Sequence, residues 1–231
     1  MPTVAAASPK GGAGKTTTMI NLALQIVKQG AEVALIDADP NGPLKKFAAG
    51  GNCPPGLHII TDVNENNIVP FIRDAATKYP FVLVDLEGTA AKIVVYALQY
   101  ADYVIIPMRG SFLDAEEAGK AIQLVKDQEM AAQRHNPNYS LPYSVLFTCT
   151  PAAYETRNTS GLRKDLEDLG IPMFDVEMKE RDAFKSMFKY KQPLEQLDTS
   201  LVPGVATAII NAEALAAEVI AKLEAVMEAQ Q

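Results

Sequence analysis

One ten-residue segment constrains this chain most: Ser8-Pro9-Lys10-Gly11-Gly12-Ala13-Gly14-Lys15-Thr16-Thr17. Before it runs Thr3-Val4-Ala5-Ala6-Ala7-Ser8, short, apolar and extended. After it, Thr16 to Gly30 carries Ile20, Leu22, Leu24, Ile26 and Val27 at helical spacing. Strand, glycine turn and helix in that order make a phosphate cradle. Glycine accepts positive φ, which turns backbone N–H groups inward as an anion nest. The positive end of the helix adds to the attraction. Lys15 can reach β- and γ-phosphates, and the Thr16 hydroxyl can ligate Mg²⁺. The expected nucleotide-binding set is therefore Lys10, Gly11, Gly12, Ala13, Gly14, Lys15, Thr16 and Thr17.

Further apolar runs are continuous rather than alternating, as in strands covered on both faces. They are Val33–Ile36 ending in Asp37-Ala38-Asp39-Pro40, Phe81–Val84 ending in Asp85, Tyr103–Ile106 ending at Pro107, and Tyr143–Thr148. Helical stretches lie between them, near 66–79, 89–100, 113–134 and 157–169. Strands alternating with helices predict one α/β domain over 1–231, a three-layer sandwich on a mainly parallel sheet. Ligands bind such sheets at the carboxyl ends of the strands. Those ends carry the glycine loop, Asp37 with Asp39, and Asp85. An acid at the end of a buried strand can hold Mg²⁺ through water, which makes Asp85 a metal candidate.

Charge and cysteine usage narrow the function classes. With 21 Lys+Arg against 28 Asp+Glu the net charge is -7, so any DNA affinity needs a local basic patch. Cys53 and Cys149 form no CxxC, which leaves out iron–sulfur and zinc motifs. His58 and His135 stand in no ligand spacing and are read as surface or packing residues. Cys149 is read as packing rather than as a reactive thiol. No signal peptide is evident and no apolar run reaches the ~18–20 residues of a spanning helix, so a cytoplasmic location is expected.

Residues 10–16 read Lys-Gly-Gly-Ala-Gly-Lys-Thr. This resembles the deviant Walker A family of ParA, MinD and their relatives, whose signature is Lys-Gly-Gly-x-Gly-Lys-[Ser/Thr]. The strict P-loop glycine six residues before the second lysine is replaced by Pro9. The resemblance implies ATP with Mg²⁺ and a slow, partner-stimulated ATPase. It implies that Lys15 acts within its own site and that Lys10 reaches across a homodimer to the other chain's phosphates. An extra cation there would stabilise transferring phosphoryl charge. Asp37-Ala38-Asp39-Pro40-Asn41-Gly42 is similar to the family's Asp-x-Asp-Pro-Gln-Gly. It assigns Asp39 to the attacking water and Asp37 to the Mg²⁺ and phosphate-sensing region. Catalysis would thus rest on Lys10, Lys15 and Asp39, and the metal on Thr16, Asp37 and Asp85. After Asp85 the family usually carries Pro-Pro, whereas this chain has Leu86-Glu87-Gly88-Thr89-Ala90. Glu87 is read as a solvated loop acid, with a catalytic base as the competing reading. Thr148, Pro151 and Arg157 fall where ParA proteins carry their adenine-side strand and a following Arg.

Partner choice is read from the C-terminal half. The last helix, about Val205 to Met227, has the apolar stripe Ile209, Ala212, Ala216, Val219, Leu223 and Val226. Its polar face holds Glu213, Glu218, Glu224 and Glu228 against Lys222, which anionic lipid would repel. The stripe is therefore expected to pack in the core or a dimer, and no membrane partner is expected. Residues 179–191 hold five basic residues against two acids. The DNA candidates are Lys179, Arg181, Lys185, Lys189 and Lys191, with Arg163 and Lys164; a solvated helix face is the competing reading. Residues 177–184 and the 85–88 loop are similar to a plasmid-borne ParA branch that includes the VirC-type ATPases. No helix-turn-helix precedes the first strand, so a short form without operator binding is expected. The resulting expectation is a nucleoid-associated partitioning ATPase with a ParB-like or other stimulating adaptor. A MinD-type membrane ATPase and a metabolic P-loop ligase are the alternatives.

Overall fold

A computed structural model describes residues 1–88, 92–154 and 156–229. Its sheet has seven parallel strands: β1 (Thr3–Ala6), β2 (Val33–Ala38), β3 (Leu57–Ile60), β4 (Phe81–Leu86), β5 (Tyr103–Met108), β6 (Tyr143–Thr150) and β7 (Met178–Lys179). Their order is β3-β2-β4-β1-β5-β6-β7. The helices are α1 (Lys15–Lys28), α2 (Pro43–Ala48), α3 (Ile68–Lys78), α4 (Lys92–Leu98), α5 (Phe112–Gln133), α6 (Arg157–Asp168), α7 (Asp182–Tyr190) and α8 (Val205–Ala229).

Alternation along the strands divides the core into two layers. Val4 and Ala6 of β1 join a cluster with Met19, Leu22 and Ile26 of α1, Phe184 and Met187 of α7, and Ala212, Leu215 and Val219 of α8. Ala5 and Ala7 face the other way, onto Ile68 and Ile72 of α3, Val94 of α4 and Ile122 and Val125 of α5. A strand buried on both faces needs apolar residues at every position, which is why these runs do not alternate. The α8 stripe lies mostly in the first cluster, with Ile209 and Val226 packed at its margin. The apolar face of the acidic helix is thus taken up by the core. No helix among the described residues is long and apolar enough to cross a membrane.

Several boundaries differ from the sequence expectation. β5 does not end at Pro107: it runs on to Met108, with Pro107 opposite Leu146 of β6. The Ile105 carbonyl faces β1, where it accepts from the Ala7 N–H. Pro107 has the same parity, so its missing N–H falls on the side where β1 has already ended. A proline is tolerated there because no ladder bond is lost. The helix expected over 89–100 is described from Lys92 to Leu98, and Thr89 and Ala90 lie outside the described residues. β3, α2 and the two-residue β7 add to the elements that the sequence predicts.

The strand ends position the site. β1 lies between β4 and β5, and its carboxyl end runs into the glycine loop. Register places Ala6 beside Asp85, and Asp85 beside Asp37. Two carboxylates and the loop therefore emerge at one level of the sheet.

Candidate nucleotide site

The loop from Ser8 to Gly14 turns on two glycines with positive φ, Gly12 at 75° and Gly14 at 92°. Gly14 is the N-cap of α1, where no side chain caps the helix and the first turn holds no acid. The first N–H groups and the helix dipole are thus left to an anion from outside. The loop is braced from behind by Thr148 of β6. Its hydroxyl lies 2.7 Å from the Ala13 carbonyl and 3.1 Å from the Met108 carbonyl, and donates to them. A Cβ at Gly14 would sit 3.2 Å from the Thr148 side chain, so glycine is needed for closeness as well as for φ. From the front, Gly88 presses on the loop: a Cβ there would meet the Pro9 carbonyl at 2.9 Å.

The two lysines have different settings. Lys15 is 7% exposed and folds back so that Nζ donates to the Ser8 carbonyl at 2.9 Å and the Lys10 carbonyl at 3.1 Å. Burial pulls its pKa below the usual lysine value, against the charges of Asp85, Asp39 and Glu87. Lys10 stands at the rim, 39% exposed, with Nζ 2.7 Å from Oδ1 of Asp114 on α5. Asp114 is nearly buried and is also bonded to the Ser111 hydroxyl. Burial disfavours its charge, but the Lys10 ammonium and the Ser111 hydroxyl outweigh that and hold its carboxyl below the usual range.

The acids divide by partner. Asp37 is buried; Oδ2 accepts the Lys45 N–H at 2.9 Å, while Oδ1 has no partner among the described residues. Desolvation raises its pKa, against backbone hydrogen bonds from the start of α2. Asp85 is fully buried, and among the described residues neither oxygen has a well-formed hydrogen bond. Desolvation pushes it up to about 7, against the pull of the neighbouring Thr16 hydroxyl and Lys15. Asp39 is half-buried, with Oδ1 held by the Asn41 N–H at 2.8 Å and its side-chain amide at 2.9 Å.

Unpartnered buried carboxylate oxygens call for a cation or a proton. Asp85, the Oδ1 of Asp37 and the Thr16 hydroxyl fit a hard divalent ion. Among the described residues no group of three or more His, Cys, Asp or Glu could hold a metal alone. The donor set therefore suits Mg²⁺, which takes one or two protein oxygens and completes its shell with phosphate and water.

The Asp85 setting has a pH signature. Its folded-state value of about 7 lies above its ordinary 3.8, so the folded chain holds an extra proton between those values. The cost of ionising Asp85 is absent below about pH 4, grows as pH rises towards 7, and approaches about 4 kcal/mol above it. Asp85→Asn is expected to remove that cost. Without nucleotide or Mg²⁺, the variant should melt higher than the parent at pH 8, and this advantage should shrink as pH falls through 7 and vanish below about pH 4. Parallel melting curves across that range would contradict the burial argument.

A cavity of about 520 Å³ is lined by Pro9, Gly11, Gly12, Gly14, Lys15, Thr16, Thr17, Asp39, Asn41, Glu87, Gly88, Arg109, Cys149 and Lys185. A groove of about 560 Å³ lies at the other end of α1, walled by Pro54, Pro55 and Pro193, and shares none of these residues. Glu87, half-buried, is among the residues that line the nucleotide cavity. Cys149 also lines it, held at φ 53° where the β6–β7 register shifts, so it is not simply packing. Sequence reasoning misses Arg109, though it follows β5 at the same carboxyl edge; its guanidinium lies 3.5 Å from where a Gly12 Cβ would be. It also misses Thr148 and Asp114 as supports of the loop and of Lys10.

Several of the basic candidates are engaged by neighbouring side chains. Arg163 and Lys179 both pair with Glu177, and Lys185 pairs with Glu180 while lining the nucleotide cavity. Arg181 donates to the Thr207 hydroxyl at 3.0 Å. Lys179, Arg181 and Lys185 also border a small cleft of about 70 Å³ beside Gly14, with Met178 and Phe184 in its lining. Lys164 is exposed on α6, and Lys189 and Lys191 are exposed at the end of α7. Pro151 follows β6, and Arg157 opens α6.

A family model for the VirC1 protein matches residues 1–227. The chain belongs to the VirC1 family. It is a ParA-type P-loop ATPase, 34% identical to Protein ParA of Rhizobium radiobacter over 223 residues, 96% of this chain and 98% of the relative. It is 26% identical to the Maintenance of carboxysome distribution protein A of Halothiobacillus neapolitanus, over 80% of this chain and 82% of that one. Among solved structures, the ATP complex of a Cyanothece McdA variant superposes with a TM-score of 0.71 at 16% identity, covering 95% of this chain and 96% of that one. At that identity the likeness concerns the fold. The VirC1-family assignment and the parallel sheet agree with the sequence-based resemblance.

Proposed function

We propose that this VirC1-family chain is a partitioning ATPase whose ATP-bridged dimer binds DNA without reading sequence and releases it on hydrolysis. The observation that carries the reading is the unequal setting of the two lysines on one loop. Lys15 is folded into its own site, while Lys10 stands at the rim on Asp114. A rim lysine held by a single carboxylate is free to exchange that partner for the phosphates of a second chain. The site would then be complete only in the dimer, and turnover alone would be slow.

ATP would lie with its phosphates in the glycine loop and its nucleoside end towards the cleft bordered by Met178 and Phe184. Thr16, Asp85 and Asp37 would hold Mg²⁺, which supplies charge neutralisation for the phosphates when bound. Lys15 would serve its own site, and Asp39 would orient the attacking water. A plasmid, a chromosome region or a protein assembly would be the cargo, with an adaptor stimulating hydrolysis. Similarity to ParA and to a carboxysome distribution protein supports this range. The chain would work in the cytoplasm on the nucleoid.

The test is binding to random-sequence duplex DNA with Mg²⁺ and either ADP or ATP, at two salt concentrations. Tight binding with ATP alone, weakening steeply with salt, is the expected result. Equal or absent binding in both states would contradict the reading.

A further inference from the structure

We propose that Arg109 is a phosphate-binding residue of this site, gripping the α- and β-phosphates of the nucleotide on the side away from Mg²⁺. This rests on the nucleotide reading of the cavity and adds a residue that the glycine loop does not contain. Arg109 follows β5 directly and lines the cavity. Its side chain is exposed and, among the described residues, has no hydrogen bond or ion pair. The other cations around the loop are engaged. Lys15 is tied to the Ser8 and Lys10 carbonyls, Lys10 to Asp114, and Lys185 to Glu180.

The fold fixes this arginine against the glycine loop. The Thr148 hydroxyl lies within hydrogen-bond distance of the Ala13 carbonyl and the Met108 carbonyl, at 2.7 and 3.1 Å. Met108 precedes Arg109, and Ala13 follows Gly12. One side chain of β6 thus pins the two neighbours together. On the other side Gly110 presses on α6, where a Cβ would overlap the buried Thr159 hydroxyl. The Arg109 backbone is therefore held from both directions while its side chain stays free to aim. One guanidinium nitrogen lies 3.5 Å from where a Gly12 Cβ would be. With glycine at that position, no side chain stands between the guanidinium and the loop.

Sheet order selects the phosphates that Arg109 meets. The loop leaves β1, with β4 and then β2 on one flank and β5 and then β6 on the other. The carboxylates suited to Mg²⁺, Asp85 and Asp37, lie at the ends of β4 and β2. Arg109 ends β5, on the opposite flank. Further along that flank is the cleft with Met178 and Phe184 that would take the nucleoside end. A phosphate tail running from the metal to that cleft passes Arg109 with its α- and β-phosphates. A guanidinium suits this contact: its planar fork bonds two oxygens at once and keeps its charge at any working pH. It also offsets the acids Asp39 and Glu87 in the same lining.

Asp114 does not compete for this arginine. Burial disfavours the Asp114 charge, the Lys10 ammonium and the Ser111 hydroxyl restore it, and Arg109 acts on it only from a distance. The consequence is for nucleotide residence rather than for chemistry. The α- and β-phosphates belong to ATP and ADP alike, so Arg109 holds substrate and product equally. Uniform binding of this kind lowers KM without raising kcat. Lys15 and the metal then serve the reacting end, Lys10 is left for the second chain, and Arg109 retains ADP after hydrolysis.

The experiment titrates ADP and ATP, each with Mg²⁺, into the full chain carrying Asp39→Ala, alone and with Arg109→Ala or Arg109→Lys. Calorimetry at two salt concentrations reads the affinities. Arg109→Ala is expected to weaken ADP and ATP alike, by about ten- to a hundredfold, the worth of a hydrogen bond to a charged group. The loss should shrink as salt rises. Arg109→Lys should recover the part that is charge alone. With Asp39 intact, Arg109→Ala should raise KM for ATP by the same factor and lower kcat by no more than about threefold. Without nucleotide it should melt with the parent, because the side chain has no partner to lose. Unchanged affinity for both nucleotides would overturn the proposal and leave Arg109 a solvated side chain. A loss confined to ATP would overturn it in favour of the γ-phosphate or the second chain. A lower melting point with no recovery by Arg109→Lys would overturn it as a structural effect. A parent that binds neither nucleotide would overturn this proposal and the nucleotide reading together.

Discussion

Lys15→Ala is expected to abolish nucleotide binding and turnover together. Lys15 is almost buried, and its ammonium ties the Ser8 and Lys10 carbonyls at the two ends of the loop's first half. Removing it leaves those carbonyls without that donor and loosens the nest. It also removes the cation among Asp85, Asp39 and Glu87, whose charges all act on Lys15. A triphosphate entering that site would meet acids without their counter-charge. A charge pair at about 4 Å with an effective dielectric near 20 is worth about 4 kcal/mol. That corresponds to roughly a thousandfold loss in affinity. Calorimetric titration with ATP and Mg²⁺ checks it, and an affinity within tenfold of the parent would contradict the role. Lys15→Arg should not rescue, because a planar guanidinium cannot make the same fold-back contacts in the space of an ammonium.

Asp39→Ala should separate binding from chemistry. Its carboxylate lines the cavity and is aimed by two hydrogen bonds from Asn41, the arrangement of a group held to orient something else. Its charge acts on Lys15 and does nothing to attract phosphate. Alanine should therefore leave ATP affinity unchanged or slightly higher. Turnover should fall by about 10²–10⁴-fold, the usual range for a proton-handling side chain. Normal turnover would shift the water-positioning role to Glu87, which faces the same cavity.

The strand-end rule made most of the site legible from residues alone. Asp37, Asp85 and the glycine loop end continuous apolar runs, and the register puts them at one level. Where reading stopped, the physical reason is local. β3, β7 and α2 are four, two and six residues long, too short for a period to register. Pro107 reads as a strand end because sequence does not show that its neighbour on that side has already ended. Lys10 meets Asp114, and Ala13 meets Thr148, across more than a hundred residues of chain, distances that no spacing rule reaches. The 179–191 stretch reads as one basic face because composition counts charges. The fold instead pairs Lys179 with Glu177 and pairs Lys185 with Glu180 beside the nucleotide cavity.

In the proposed cycle ATP, and not ADP, joins two chains. The most direct measurement is the solution mass of the Asp39→Ala chain by sedimentation equilibrium, with Mg²⁺ and each nucleotide in turn. The account predicts the mass of one chain, 24.9 kDa, with ADP and twice that with ATP. It also predicts that adding Lys10→Ala weakens the ATP-bound dimer. The same mass in both nucleotide states would contradict it.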